Sequence, residues 1–249
     1  MNRKVLYINS GVTNRSYGIS ENFTIVKTIE EFSGRPNTCK LISVSIPYTW
    51  NNVINLSLVV FLGNSQFPVS VLDGNYSGEQ LASALEYSMT TATGIQIKVL
   101  WDSQISRFKF ISLIGFQIIA GSSGSYLGLP EELFPVSPEQ NWTALKAGVL
   151  LPFTEISVCS NIVEGSDNGV ITWKNNPTDS SNILAIVPIN SCFNSIVQWN
   201  SSSDLPFYSI SQSRFNSRIS EINFSLRFPD GSLVNLNGYN WSALLIIEF

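Results

Sequence analysis

Apolar and polar side chains alternate with period two through most of this chain, which predicts strands rather than helices. Residues 221–228 give the clearest instance. Ile222, Phe224, Leu226 and Phe228 share one face, while Glu221, Asn223, Ser225 and Arg227 share the other, as in a strand with one wet side. Ile42, Val44 and Ile46 alternate with Ser43 and Ser45 until Pro47 ends the ladder. Phe67, Val69 and Val71 make another row, and Ile95, Ile97, Val99 and Trp101 a further one. The runs 183–187 and 244–247 are apolar without alternation, which predicts strands covered on both faces.

Turn chemistry separates these rows. Pro229-Asp230-Gly231-Ser232 suits a tight hairpin, residues 101–108 read as strand, polar turn and return strand, and Gly165-Ser166-Asp167-Asn168-Gly169 reads as a hairpin tip. One segment has helical spacing. Ser77 and Gln80 form a capping box, Leu81, Ala84, Leu85 and Ser88 share a face, and Gly94 is the stop, so a short amphipathic helix is expected to cover one end of a sheet. The least periodic stretch is 121–148, with Gly121-Ser122-Ser123-Gly124-Ser125 followed by three prolines; it reads as a long loop or small insertion. Residues 1–20 read as an N-terminal arm that precedes a sandwich over 21–249. No repeat of 20–50 residues is visible, and many short strands with a single helix favour a β-sandwich over an α/β fold.

Composition points the same way. The 249 residues fit one large β-domain or two small ones, and 44% are hydrophobic, enough for a core without a metal or disulfide staple. Only 13% are charged, against about 25% in an average soluble domain, so the surface must be made of Ser, Asn, Thr and Gln. A weakly charged surface favours association, which implies a partner. With a net charge of −4 and a pI near 4.9, there is no basic footprint for specific nucleic-acid binding. Residues 1–10 lack the apolar core of a signal peptide, and runs such as 58–62 and 244–247 are too short to span a bilayer, so the chain reads as intracellularly made and soluble. Cys39, Cys159 and Cys192 are widely spaced and read as buried thiols of a reducing compartment, with one disulfide left open. Asn-x-Ser/Thr triplets at Asn14, Asn22, Asn55, Asn75, Asn141, Asn200, Asn223 and Asn240 are expected by chance in a chain so rich in Asn and Ser.

Candidate chemistry is sparse. The absence of histidine removes Ser-His-Asp and Cys-His nucleophiles and every histidine metal site. The cysteines lack Cys-x-x-Cys spacing, and the glycine-rich stretch 121–128 lacks the lysine of a phosphate loop. A carboxylate pair would have to come from Asp102, Glu131, Glu132, Glu155, Asp179 and Asp204, and no local pattern raises one above another. No catalytic, cofactor-binding or metal-binding residue is therefore assigned. Six tryptophans invite a sugar-stacking surface. Trp101 and Trp241 continue apolar strands and read as core, whereas Trp50, Trp142, Trp173 and Trp199 flank polar residues and could face a ligand or a neighbour.

The order of these features carries a resemblance. Ile42-Ser43-Val44-Ser45-Ile46-Pro47-Tyr48-Thr49-Trp50-Asn51-Asn52-Val53 leads to Val71-Leu72-Asp73-Gly74-Asn75-Tyr76-Ser77 and the capped helix. The hairpin of 97–110 follows, then Ser125-Tyr126-Leu127-Gly128-Leu129. Next come Ile183-Leu184-Ala185-Ile186-Val187-Pro188-Ile189 and Phe207-Tyr208-Ser209-Ile210. The series closes with Leu226-Arg227-Phe228-Pro229-Asp230-Gly231, Leu236-Asn237-Gly238 and Trp241 before an apolar last strand. From about Ile42 to Phe249 the chain resembles the single jelly-roll penton, or vertex, capsid proteins of virophages, polinton-like viruses and their relatives in the adenovirus-like lineage. The resemblance implies an all-β, jelly-roll β-sandwich of two four-stranded sheets with one short helix and elaborated loops. It implies a homopentamer at the five-fold vertices of an icosahedral double-stranded DNA virus, located in the virion. The implied partners are further copies of the chain, the neighbouring major capsid protein and a vertex spike or fibre. A different minor or cement capsid protein of that lineage, and a carbohydrate-binding β-sandwich, remain the alternatives.

Overall fold

The computed structural model describes residues 3–11, 16–28, 36–132, 134–136, 142–150, 153–163, 183–201, 207–210 and 219–249. The chain divides into two compact units: residues 1–50 with 153–249, and residues 51–152. Each has its own buried apolar cluster.

The first unit contains β1 (Arg3–Asn9), β2 (Tyr17–Ile19), β3 (Asn22–Thr28) and β4 (Thr38–Pro47). The second contains β5 (Ser57–Leu62), β6 (Ser65–Ser70), helix α1 (Gly78–Thr93), β7 (Ile97–Asp102), β8 (Arg107–Ser112) and β9 (Phe116–Ile119). It continues through a 3-10 turn at Gly121–Ser123 into the short helix α2 (Gly124–Leu127), then β10 (Phe134–Val136) and β11 (Trp142–Thr143). The chain then returns to the first unit as β12 (Glu155–Ser160), β13 (Ile183–Pro188), β14 (Ile196–Asn200), β15 (Tyr208–Ser209), β16 (Ile219–Arg227) and β17 (Ser242–Glu248).

In the first unit one sheet has the order β1-β17-β4-β14, with β15 also bordering β4, and the other has the order β13-β12-β16-β3-β2. All pairings are antiparallel. Setting aside the short β2 and β15, the first strand pairs with the last, the second with the seventh, the third with the sixth and the fourth with the fifth. That nesting, a long hairpin rolled into two sheets, is the jelly roll. The inward rows meet in one core: Ile8, Leu41, Val44, Ile46, Val197, Leu245 and Ile247 from one sheet, and Phe23, Ile25, Val158, Val187, Ile222, Phe224 and Leu226 from the other. Trp241, 1% exposed, sets its ring edge-on to Phe23 at 5.7 Å and donates its indole N–H to the Ser20 carbonyl at 2.8 Å.

The second unit is inserted between the third and fourth strands of the jelly roll. It holds a sheet of order β10-β9-β5-β6 and a second of order β11-β8-β7. Helix α1 begins as its sequence dictates. The Ser77 hydroxyl accepts from the Gln80 N–H, the Gln80 side chain accepts from the Ser77 N–H, and Gly94 closes the helix in the left-handed region at φ 69°. Leu81, Ala82, Leu85 and Met89 face the core with Val60, Val99, Phe108 and Phe110. The helix lies so close to β7 that a Cβ on Gly78 would sit 2.2 Å from the Trp101 ring, so only glycine fits there.

Several expectations need correction. Residues 3–9 are no arm: β1 is the first jelly-roll strand, paired with β17 from Arg3↔Glu248 to Asn9↔Ser242. Its unbroken Val-Leu-Tyr-Ile run hides the period, because only Leu6 and Ile8 turn inward while Val5 and Tyr7 stay exposed. The expected division, a sandwich over 21–249 with a small insertion near 121–148, is too small an insertion. That stretch belongs to a unit that begins at residue 51 and holds a core of its own. Ile42 is only half-buried, because β4 bulges where Leu244 pairs Ser43 and Leu245 pairs Leu41, so the inward row switches from Cys39 and Leu41 to Val44 and Ile46. The second face of 221–228 is not wet throughout: Ser225 and Arg227 are buried, and the Arg227 guanidinium donates to the Gly231 carbonyl at 2.7 Å. In 183–187, Ile186 is exposed, because it points to the opposite face of β13 from its buried neighbour Val187. The turn at 229–232 forms, but its return is a single bridge from Arg227 to Leu233. The expected hairpin tip at 165–169 lies outside the described residues.

Candidate assembly surface

Sheet edges are where a β-protein offers backbone to other chains, so their state decides what the surface can do. In the inserted unit the edge strands β6, β10 and β7 are blocked. β6 carries Pro68 and β10 carries Pro135 at its centre, and proline removes a ladder donor. The β7 edge is taken by helix α1: the Ile97 N–H donates to the Thr90 hydroxyl at 3.2 Å, and the Val99 N–H donates to the Glu86 carboxylate at 3.0 Å. In the sandwich, β13 ends in Pro188 and β2 is only 3 residues long.

The two edges of the other sandwich sheet differ. β1 is 7 residues long and free of proline, with Val5 61% and Tyr7 57% exposed on its outer face. Their cross-strand neighbours on β17, Ile246 and Leu244, are half-buried and extend the apolar row. The strand is held at its start. Arg3 Nε donates to the buried Glu248 carboxylate at 2.8 Å, the Thr38 hydroxyl donates to the same group at 3.0 Å, and Arg3 and Lys40 both lie against the Phe207 ring at 5.8 and 5.7 Å. At the far edge, β14 is also free of proline and uncharged, with Ile196, Gln198 and Asn200 exposed.

The residues singled out for chemistry do not assemble into a site. Asp102 is ion-paired with Lys109 at 2.7 Å across the β7–β8 hairpin, and the Lys109 hydrogen bond holds its carboxyl below the usual aspartate range. Glu131 and Glu132 are exposed in a loop of the inserted unit, while Glu155 stands on β12 of the sandwich. Asp179 and Asp204 lie outside the described residues. Among the described residues no three Cys, Asp or Glu side chains gather as metal ligands. A shallow, open cavity of about 600 Å³ on β5, β6 and β9 is lined by Ser57, Val59, Pro68, Ser70, Ile119 and Ser122 among others, none of them charged.

Of the tryptophans expected in the core, Trp241 is there and Trp101 is only partly so, half-buried against Phe108 at 4.7 Å. Trp50 is buried and stacks on Tyr48 at 4.1 Å. Trp142 and Trp199 are half-buried, and Trp173 lies outside the described residues. No described tryptophan is exposed. All three thiols are free; Cys39 and Cys159 are buried, as expected, but Cys192 is exposed. Burial pushes the Cys39 thiol up to about 12. Sequence reasoning missed the β1 and β14 edges. The signal available was the lack of proline in two short runs, 3–9 and 196–200, which means little until their neighbours are known.

No protein-family model matches this sequence, and no curated protein does. Solved structures do. The crystal structure of the mavirus penton protein is similar with a TM-score of 0.55 at 11% identity, covering 100% of this chain and 99% of that one. A chain in the cryo-EM structure of the Sputnik virophage is similar with a TM-score of 0.50 at 11% identity, covering 99% of this chain and 98% of that one. The shared fold extends over the whole chain, inserted unit included, and among the described residues no helix is long and apolar enough to cross a membrane.

Proposed function

We propose that this chain is a structural capsid protein, the penton subunit that forms homopentamers at the five-fold vertices of an icosahedral double-stranded DNA virus. One observation carries the reading: a jelly roll with a large insertion between its third and fourth strands matches the mavirus penton protein over essentially the full length of both chains. The surface agrees with it. A protein with 13% charged residues and exposed Val5, Tyr7 and Ile196 on one sheet is suited to burial against neighbours. Its place is then the virion, its partners are other copies of itself and the surrounding major capsid protein, and a spike or fibre docks at the vertex. It performs no catalysis, which fits the scattered carboxylates and the lack of histidine.

Mass measurement of the purified chain and a reconstruction of particles that contain it test the reading. The expected results are a five-copy assembly and density on the five-fold axes. A chain that stays monomeric and is absent from particles refutes the capsid role, and density on another axis refutes the penton assignment alone.

A further inference from the structure

The capsid reading leaves open which surfaces of neighbouring copies meet, and the sheet edges answer that. We propose that the β1 edge of one copy is covered by the β14 edge of a second copy of this chain, head to tail. The inference rests on the capsid reading for its setting but on the edges for its content.

Proteins that do not associate through a sheet edge block it, and this chain does so at four places: with Pro68, with Pro135, with the Glu86 and Thr90 side chains over β7, and with Pro188. Among the described strands of four residues or more at a sheet edge, β1 and β14 carry neither proline nor a covering helix; the charges of β1, Arg3 and Lys4, sit at its first two positions and leave Val5–Asn9 uncharged. They are also the two borders of one sheet. Three antiparallel pairings separate them, β1 with β17, β17 with β4, and β4 with β14, so the two borders run in opposite directions. A neighbour set head to tail therefore presents its β14 antiparallel to β1, and the ladder continues without a change of sense.

The side chains agree. Val5 and Tyr7 on one border meet Ile196, Gln198 and Asn200 on the other, and β14 brings no charge to the contact. Because the two borders are different surfaces, the contact is heterologous, the type that builds a ring when its rotation closes and never an isologous two-fold dimer.

Two variants of the full chain test this: Val5→Lys with Tyr7→Lys, and separately Ile196→Lys. All three side chains face solvent in the single copy, so circular dichroism and melting should match the unaltered chain. Each variant should raise the dissociation constant of the assembly by about 100-fold or more, because a lysine is desolvated in the contact. Mixing the two should yield a heterodimer, since one partner keeps an intact β14 and the other an intact β1. Either variant holding the mass of the unaltered assembly, the Ile196→Lys chain pairing with itself, or a mixture that stays monomeric overturns the proposal. A covalent version guards against misfolding. With Cys192→Ser, Tyr7→Cys and Ile196→Cys, a short bismaleimide should give a ladder of cross-linked copies, and no ladder from an assembled sample overturns it. The unaltered chain separates the two readings: if it assembles and enters particles while the variants do so equally well, the edge contact fails and the capsid role stands.

Discussion

The sandwich and the unit inserted into it solve the same packing problem by different means. The sandwich buries its apolar rows between two sheets whose pairs join residues far apart in sequence, as when Arg3 meets Glu248. The inserted unit relies on near neighbours: β5 with β6, β7 with β8, and a helix laid beside the strand that follows it. Local pairing allowed it to close its own edges with two prolines and a helix, whereas among the described residues of the sandwich the β1 and β14 borders carry neither. The contrast teaches where assembly can act. A module with sealed edges is a poor template for another chain, and a sheet with two open, oppositely directed borders is a good one.

The largest expected effects come from the two cores. Trp241→Ala removes a fully buried ring and its hydrogen bond to Ser20, and Phe108→Ala removes the buried partner of Trp101. Each should cost about 3–5 kcal/mol in chemical denaturation. Hydrogen exchange should then localise the damage, to 1–50 and 153–249 for the first and to 51–152 for the second. Equal loss of protection in both regions for either variant would mean that the two cores unfold as one.

A smaller change sharpens the same comparison. Ser77→Ala deletes one half of the capping box on α1 and should cost about 1 kcal/mol, read as early exchange of the Gln80 amide without effect on the sandwich strands. The smallest concerns the β7–β8 hairpin. Lys109→Met should let the Asp102 pKa rise toward the ordinary aspartate range in an NMR titration. A carboxylate whose folded pKa is depressed stabilises the fold above its unfolded pKa and loses that contribution as pH falls through the folded value. The hairpin's acid sensitivity should therefore diminish in the variant. An unmoved pKa would assign the shift to the Gln104 N–H instead.

Much of this molecule was legible in its sequence where the cause is local. The helix limits followed from Ser77, Gln80 and Gly94, because a cap involves residues within one turn. The inward row of Ile222, Phe224, Leu226 and Phe228 followed from the period of a strand. The same reasoning failed at Ile42, where a bulge against Leu244 and Leu245 shifts the phase, at Ser225, which is buried in the middle of the sheet between β12 and β3, and at Arg227, which the turn at 229–233 helps to bury. The division into units was also hidden. Strand-by-strand patterns look alike on both sides of residue 51, and only the separate clusters distinguish them.

By itself, then, the sequence determined the strongly alternating strands such as 221–228 and 97–102, the helix at 78–93, the low content of charge and the lack of histidine chemistry, since each depends on composition or on residues a few positions apart. Only the tertiary structure decided that residues 3–9 begin the jelly roll, that 51–152 form a unit of their own, and which described strands border a sheet without proline or a covering helix. Those features depend on partners brought together across most of the chain, as β1 is with β17, and no local pattern encodes them.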